Sequence, residues 1–177
     1  MGNDLAIYID RLQSMAFFSG YPLIYAIVFV IAGEKRKQVD SFANRLIKLL
    51  PMAYALTGLL FLGLVAKDMF PDYTAKNIAA QFQTPYLKLW GLTALLFWIP
   101  VLRKKPVISL LHSLFFLYLL LKDLFLFMND SIDKEMIQND MKIYTTSLMI
   151  NAGTLLSVIF IYLLLNRINK HKYKTSD

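Results

Sequence analysis

The chain has 177 residues, 57% of them hydrophobic and 18% charged, a balance more apolar than a soluble core of this length needs, with the apolar residues gathered in long blocks. Its 19 Lys and Arg against 12 Asp and Glu give an excess of positive charge, but the basic clusters follow the apolar blocks and lack interleaved aromatics or a recognisable motif, so nucleic-acid binding is not expected. The absence of Cys excludes disulfides, thiolate metal sites and Cys nucleophiles.

A hydrocarbon layer about 30 Å thick requires roughly 20 apolar helical residues. Five blocks approach that length, at about 14–33, 48–66, 86–102, 107–128 and 143–165. None alternates with a period of two, and an open strand cannot satisfy its backbone in lipid, so all five are predicted to be helices. The expected fold is an all-α bundle of five transmembrane helices forming one domain over residues 1–177.

The first block follows Asp4, Asp10 and Arg11 instead of a basic region, and no A-x-A cleavage signal comes after it, so a retained helix is expected. Ala6 occupies the Ser/Thr position of a myristoylation signal. Ala16 and Gly20 provide small-xxx-small spacing for close packing, as Ala53 and Thr57 do on the second block. Pro51, like Pro106 later, reads as a helix start, where a missing N–H costs little. The second block ends in Lys67-Asp68, and the long loop after it predicts a short interfacial helix at about 74–82.

Tyr86 and Trp90 stand near one boundary of the third block and Trp98 near the other, as interfacial belts require; Tyr144 and Tyr162 do the same for the fifth. The fourth block contains His112 and then Lys122-Asp123, after 16 uncharged residues that make about 24 Å of helix from Lys105. Adjacent helical residues point about 100° apart, so Lys122 and Asp123 need partners elsewhere. Asp68 and Lys67 of the second block are candidates, giving a crossed charge cluster; the alternative is lysines that snorkel to the headgroups and aspartates that face water. Lys67, Asp68, Lys122, Asp123 and His112 form the candidate intramembrane charge or transport site, because an ionisable group within a span is expensive to bury.

The acidic loop "NDSIDKEMIQND" has Lys134 where a Ca²⁺ loop needs Gly and Asp140 where it needs Glu, so it reads as a solvated extension of the last helix, capped at Asp130 or Ser131. The fifth block has Ser147, Asn151, Thr154 and Ser157 along one face, a polar stripe suited to bonding neighbouring helices or lining a wet path. Bis-histidine haem would require His171, which lies in the polar tail "RINKHKYK". No cofactor or metal is expected.

Twelve cations (Lys35, Arg36, Lys37, Arg45 and Lys48; Arg103, Lys104 and Lys105; Arg167, Lys170, Lys172 and Lys174) share one side of this arrangement with three acids. The positive-inside rule then predicts an outside N-terminus and a cytoplasmic C-terminus in an inner membrane. A shift of 55 residues places "LLFLGLVAKDMF" (59–70) over "LFFLYLLLKDLF" (114–125), and the following blocks match more faintly. A parallel repeat of helices two and three with four and five would explain both Lys-Asp pairs.

No H-E-x-x-H, G-x-S-x-G or nucleotide-binding Gly-rich motif occurs, so an enzyme is not expected. The expected function is that of a non-enzymatic subunit of a homo- or hetero-oligomeric membrane assembly, with lipids and membrane proteins as partners and a pore as one outcome. A small-solute, ion or proton transporter using the Lys-Asp pairs is one alternative. A membrane redox or enzyme subunit using His112 is another.

Overall fold

The computed structural model describes residues 11–33, 42–70, 74, 85–129 and 134–174. They are almost entirely helical, and no strand occurs among them. The first span, α1, covers Arg11–Ala32 with a turn at Ser19 and Gly20. Next come α2 (Phe42–Met69), α3 (Pro85–Leu92), a 3-10 stretch (Thr93–Trp98), α4 (Pro100–Arg103), α5 (Pro106–Asn129) and α6 (Lys134–Lys174).

Four of these helices are long and apolar enough to cross a membrane: Arg11–Ala32, Asn44–Met69, Pro106–Phe125 and Met141–Ile168. Side-chain placement agrees with a membrane protein. Large apolar groups such as Val30, Leu111, Phe125, Met149 and Phe160 face outward, whereas Ser109, Ser113, Thr57, Ser147 and Asn151 are buried. Water would favour the reverse distribution, while a lipid surround permits this one and rewards polar contacts between helices.

The block at 86–102 departs from a continuous helix. Its apolar length suits a span, but Ile99 precedes Pro100 and adopts extended φ −65° and ψ 129°, because the proline ring disfavours the helical region for the residue before it. Upstream, the Thr93 hydroxyl donates to the Trp90 carbonyl at 2.6 Å, where α3 tightens into the 3-10 stretch. The segment therefore lies beside α2 as three short pieces. Gly58 of α2 faces Ala94, and Gly91 faces the Phe61 and Phe18 rings, each so closely that a Cβ would meet atoms at 2.8–3.0 Å.

Pro51 is not a helix start. It lies within α2, nine residues after Phe42, because the helix continues upstream through Leu46, Leu49 and Leu50, which pack into the core. Its ring removes one backbone donor inside the helix, yet the residue is fully buried. Pro106 does begin α5, as expected. The last helix extends well beyond its apolar stretch, and its start at Lys134 agrees with the expected extension of that helix into the preceding loop; the proposed caps Asp130 and Ser131, and the interfacial helix at 74–82 except Thr74, lie outside the described residues.

α2 and α5 run parallel: their starts, at Lys48 and Pro106, line one cavity, and their ends both reach the first turns of α1. The suggested repeat requires this direction, which any two helices separated by one hairpin also have. The second halves differ, since 87–96 passes from α-helix to 3-10 while 141–150 is uninterrupted α-helix. The core between the helices is built from rings. Phe18 stacks on Phe116 at 4.8 Å and meets Phe61 and Tyr54 edge-on, while Tyr21 and Tyr54 lie 4.3 Å apart.

Candidate functional site

At the end of the bundle where α1 begins, the two Lys-Asp pairs come to a common rim. α1 occupies the space between them. Arg11 forms an ion pair with Asp123 and also donates to the Leu119 carbonyl at 3.4 Å, so the guanidinium closes over the side of α5. Two residues along, Gln13 donates to Asp68 at 3.5 Å. Lys67 and Lys122 are exposed. The crossed pairing of Lys67 with Asp123 is thus replaced by Arg11, whose planar fork and long reach suit a carboxylate near the bundle interior. Arg11 belongs to the sequence as a lone cation before the first span, and its distance of 112 residues from Asp123 hides the pairing.

His112 lies deeper, buried where α1, α2, α3 and α5 meet. Its Nδ1 is 2.6 Å from the Tyr54 hydroxyl; its Nε2 is 2.9 Å from the Trp90 carbonyl and 2.7 Å from the Thr93 hydroxyl. A carbonyl only accepts, so Nε2 carries the proton and Nδ1 accepts from Tyr54. Trp90 stacks flat on the imidazole, with centroids 4.7 Å apart and planes 9° from parallel. Trp90 is therefore a packing partner of His112 as well as a partly exposed ring, which the belt reading of the sequence did not contain. Both ring nitrogens are satisfied, and the same contacts stabilise the α-to-3-10 switch by occupying the Trp90 carbonyl. Nearby, Tyr21 and Ser109 share a hydrogen bond of 2.8 Å, and Ser109 donates to the Pro106 carbonyl.

The polar stripe of α6 divides. Ser147 and Asn151 meet the turn in α1: the Gly20 N–H donates to Ser147 Oγ at 2.8 Å, and Asn151 Nδ2 donates to the Phe17 carbonyl at 2.7 Å. A helix broken in lipid leaves backbone groups without partners, and here the opposing helix supplies them. Thr154 lies 3.1 Å from Thr57 of α2, whose hydroxyl also reaches the side-chain oxygen Oδ1 of Asn151 at 3.3 Å. Ser157 stands apart, exposed and bonded back to the Gly153 carbonyl of its own helix. Gly20 is essential to the first contact, because a Cβ there would lie 2.6 Å from Leu148 N.

Among the described residues no three of His, Asp and Glu converge as a metal site requires. The geometry is that of helix joints: a charge clamp at one rim, a histidine bonded between three segments and a mid-bundle network of Ser, Thr and Asn. No protein family, curated protein or solved structure matches this chain.

Proposed function

We propose that this chain is a non-enzymatic subunit of an oligomeric membrane assembly, and that copies associate through the outward face of α6. One observation carries the reading. Only 22% of the most apolar window of α6 is buried, against 50% and 56% for the windows of α1 and α2, and its open side carries Gly153 and Ser157 at small-xxx-small spacing. At about 100° per residue, Met149, Gly153, Ser157, Phe160 and Leu164 share an arc of about 80°. Nothing lies within 4 Å of where a Gly153 Cβ would stand. A large residue would gain more contact with lipid at that position, whereas a small one lets another helix approach.

The interior of one chain is filled by Phe18, Tyr54, Phe61, Phe97 and Phe116, so any conducting path in the assembly lies between copies. The proposed orientation in the inner membrane has five crossings, with the broken segment 85–103 as the third, the N-terminus outside and the C-terminus in the cytoplasm; the distribution of Lys and Arg supports it. Native mass measurement of the purified chain in mild detergent tests association. The wild type and Gly153→Ala are expected to be oligomeric, and Gly153→Ile with Ser157→Leu monomeric. A wild type that is monomeric at every concentration, without partners, overturns the proposal.

A second reading is a small-solute, ion or proton carrier, favoured by the convergence of Asp68 and Asp123 on α1. Asp68→Asn with Asp123→Asn would then abolish flux in proteoliposomes while oligomer size is retained, and unchanged flux removes this reading.

A further inference from the structure

At the end of the bundle opposite Arg11 and Asp123, a cavity of about 670 Å³ opens between α2, the Trp98–Pro106 region and α6. That volume lies in the range of about 300–1,000 Å³ typical of small-molecule sites. Its walls are apolar, with Met52 and Leu56 on one side and Val158, Ile161 and Leu165 on the other. Its mouth is cationic. Lys48 reaches it from α2, and Arg103 and Lys104 reach it from the end of α4. All three are exposed, and no ion pair among the described residues engages them.

Arg103 also shows where an anion would sit. Its Nη1 rests 3.8 Å from Met52 Sδ on the cavity wall, and a thioether is a weak acceptor that leaves the guanidinium fork open for stronger partners. The Trp98 indole and the Tyr162 ring lie beside these cations, and Tyr162 accepts from Arg45 at 3.4 Å. Amphipathic rings of this kind occupy the headgroup level of a bilayer. Lys48 is the fifth residue of its span, which begins at Asn44, and Pro106 is the first residue of α5, so the mouth is at the membrane surface and the apolar walls lead inward.

We propose that this cavity binds one anionic phospholipid, an acyl chain lying between the α2 and α6 walls and the phosphate held by Lys48, Arg103 and Lys104. Apolar walls alone would accept any acyl chain; the three cations from two separate elements select the headgroup charge. The pocket-facing side of α6, with Val158, Ile161 and Leu165, is centred about 110° from the centre of the face that contains Gly153, so the proposal does not rest on whether copies associate.

The test is native mass measurement of the purified full chain, titrated with a phosphatidylglycerol and with a phosphatidylcholine of identical acyl chains. The wild type is expected to bind one phosphatidylglycerol per chain about tenfold or more tightly than the zwitterion, and Lys48→Gln with Arg103→Gln to lose that preference. Ile161→Trp, which fills the cavity without changing charge, is expected to lose the bound lipid as well. Lys105→Gln with Arg167→Gln removes the same charge at the same end but outside the cavity, and should leave binding unchanged. Equal affinity of the wild type for the two lipids overturns the proposal, as does equal loss in the Lys105 and Arg167 variant. Retained binding in Ile161→Trp, or binding of soluble glycerol phosphate as tight as that of the lipid, also overturns it.

Discussion

Gly20→Ala tests whether the contact of α1 with α6 is a close-packed joint. An added Cβ would stand 2.6 Å from Leu148 N, 2.8 Å from Ser147 C and 3.0 Å from Leu148 Cα, all backbone atoms that cannot rotate aside. Reaching ordinary contact at 3.4 Å requires the helices to part by about 0.8 Å. The Gly20 N–H to Ser147 bond, now 2.8 Å, would then exceed hydrogen-bond length, and the Asn151 to Phe17 bond of 2.7 Å would stretch with it. Overpacking costs about 1–3 kcal/mol, and the two hydrogen bonds about 0.6–1.5 kcal/mol each. Replacing glycine by alanine recovers about 0.4–1 kcal/mol by restricting the unfolded chain. The expected net loss is therefore about 3 kcal/mol. It is measured by unfolding in mixed micelles with increasing denaturing detergent, followed by tryptophan fluorescence. Gly63→Ala is the control, because nothing lies within 4 Å of its Cβ position. A Gly20→Ala chain as stable as the Gly63→Ala chain would show that the joint is looser than described.

Arg11→Gln and Asp123→Asn should each cost about 1–3 kcal/mol, discounted for the partial exposure of the pair. The double variant should cost less than their sum, and strict additivity in a double-mutant cycle would mean that the clamp contributes nothing. Tyr54→Phe leaves Nδ1 of the buried His112 without its donor and should lower stability by about 1–3 kcal/mol. In a His112→Phe background, measured by the same unfolding titration, the tyrosine hydroxyl should matter less; an equal loss there would detach it from the histidine. Because the chain has no Cys, Ser176→Cys reports orientation directly. A membrane-impermeant maleimide applied to intact cells whose outer membrane is permeable should label it only after the inner membrane is opened, and labelling before that reverses the proposed topology.

The long apolar helices were legible because lipid imposes a length rule that few other arrangements satisfy. Four blocks match long helices within a few residues at their apolar ends, whereas 86–102 passed the length test and failed on local chemistry. Pro100 announced the break, since the residue before a proline avoids the helical region; the Thr93 contribution was invisible because it depends on His112, 19 residues later. The Lys-Asp pairs were legible as costly groups, but not their partners, because the first turn of α1 belongs to no pattern shared with α5. The polar stripe was readable by its spacing, and its inward part meets a turn that Ser19-Gly20 only hints at. Pro51 misled because proline is commonest at a helix entrance, and the upstream cations concealed the apolar Leu46, Leu49 and Leu50 that extend α2.

The turn in α1 also sets an order of events during synthesis. Gly20 and Phe17 emerge early, but the side chains that complete their backbone bonds belong to Ser147 and Asn151, 127 and 134 residues later. At about 5–20 residues per second, that separation leaves the first span incomplete for about 6–25 s. During that interval the nascent chain carries an open donor and acceptor into the bilayer, and premature termination before Ser147 would leave them open for good. The first of the described helices is therefore closed by the latest-made of them, and its backbone waits on α6 for these two partners.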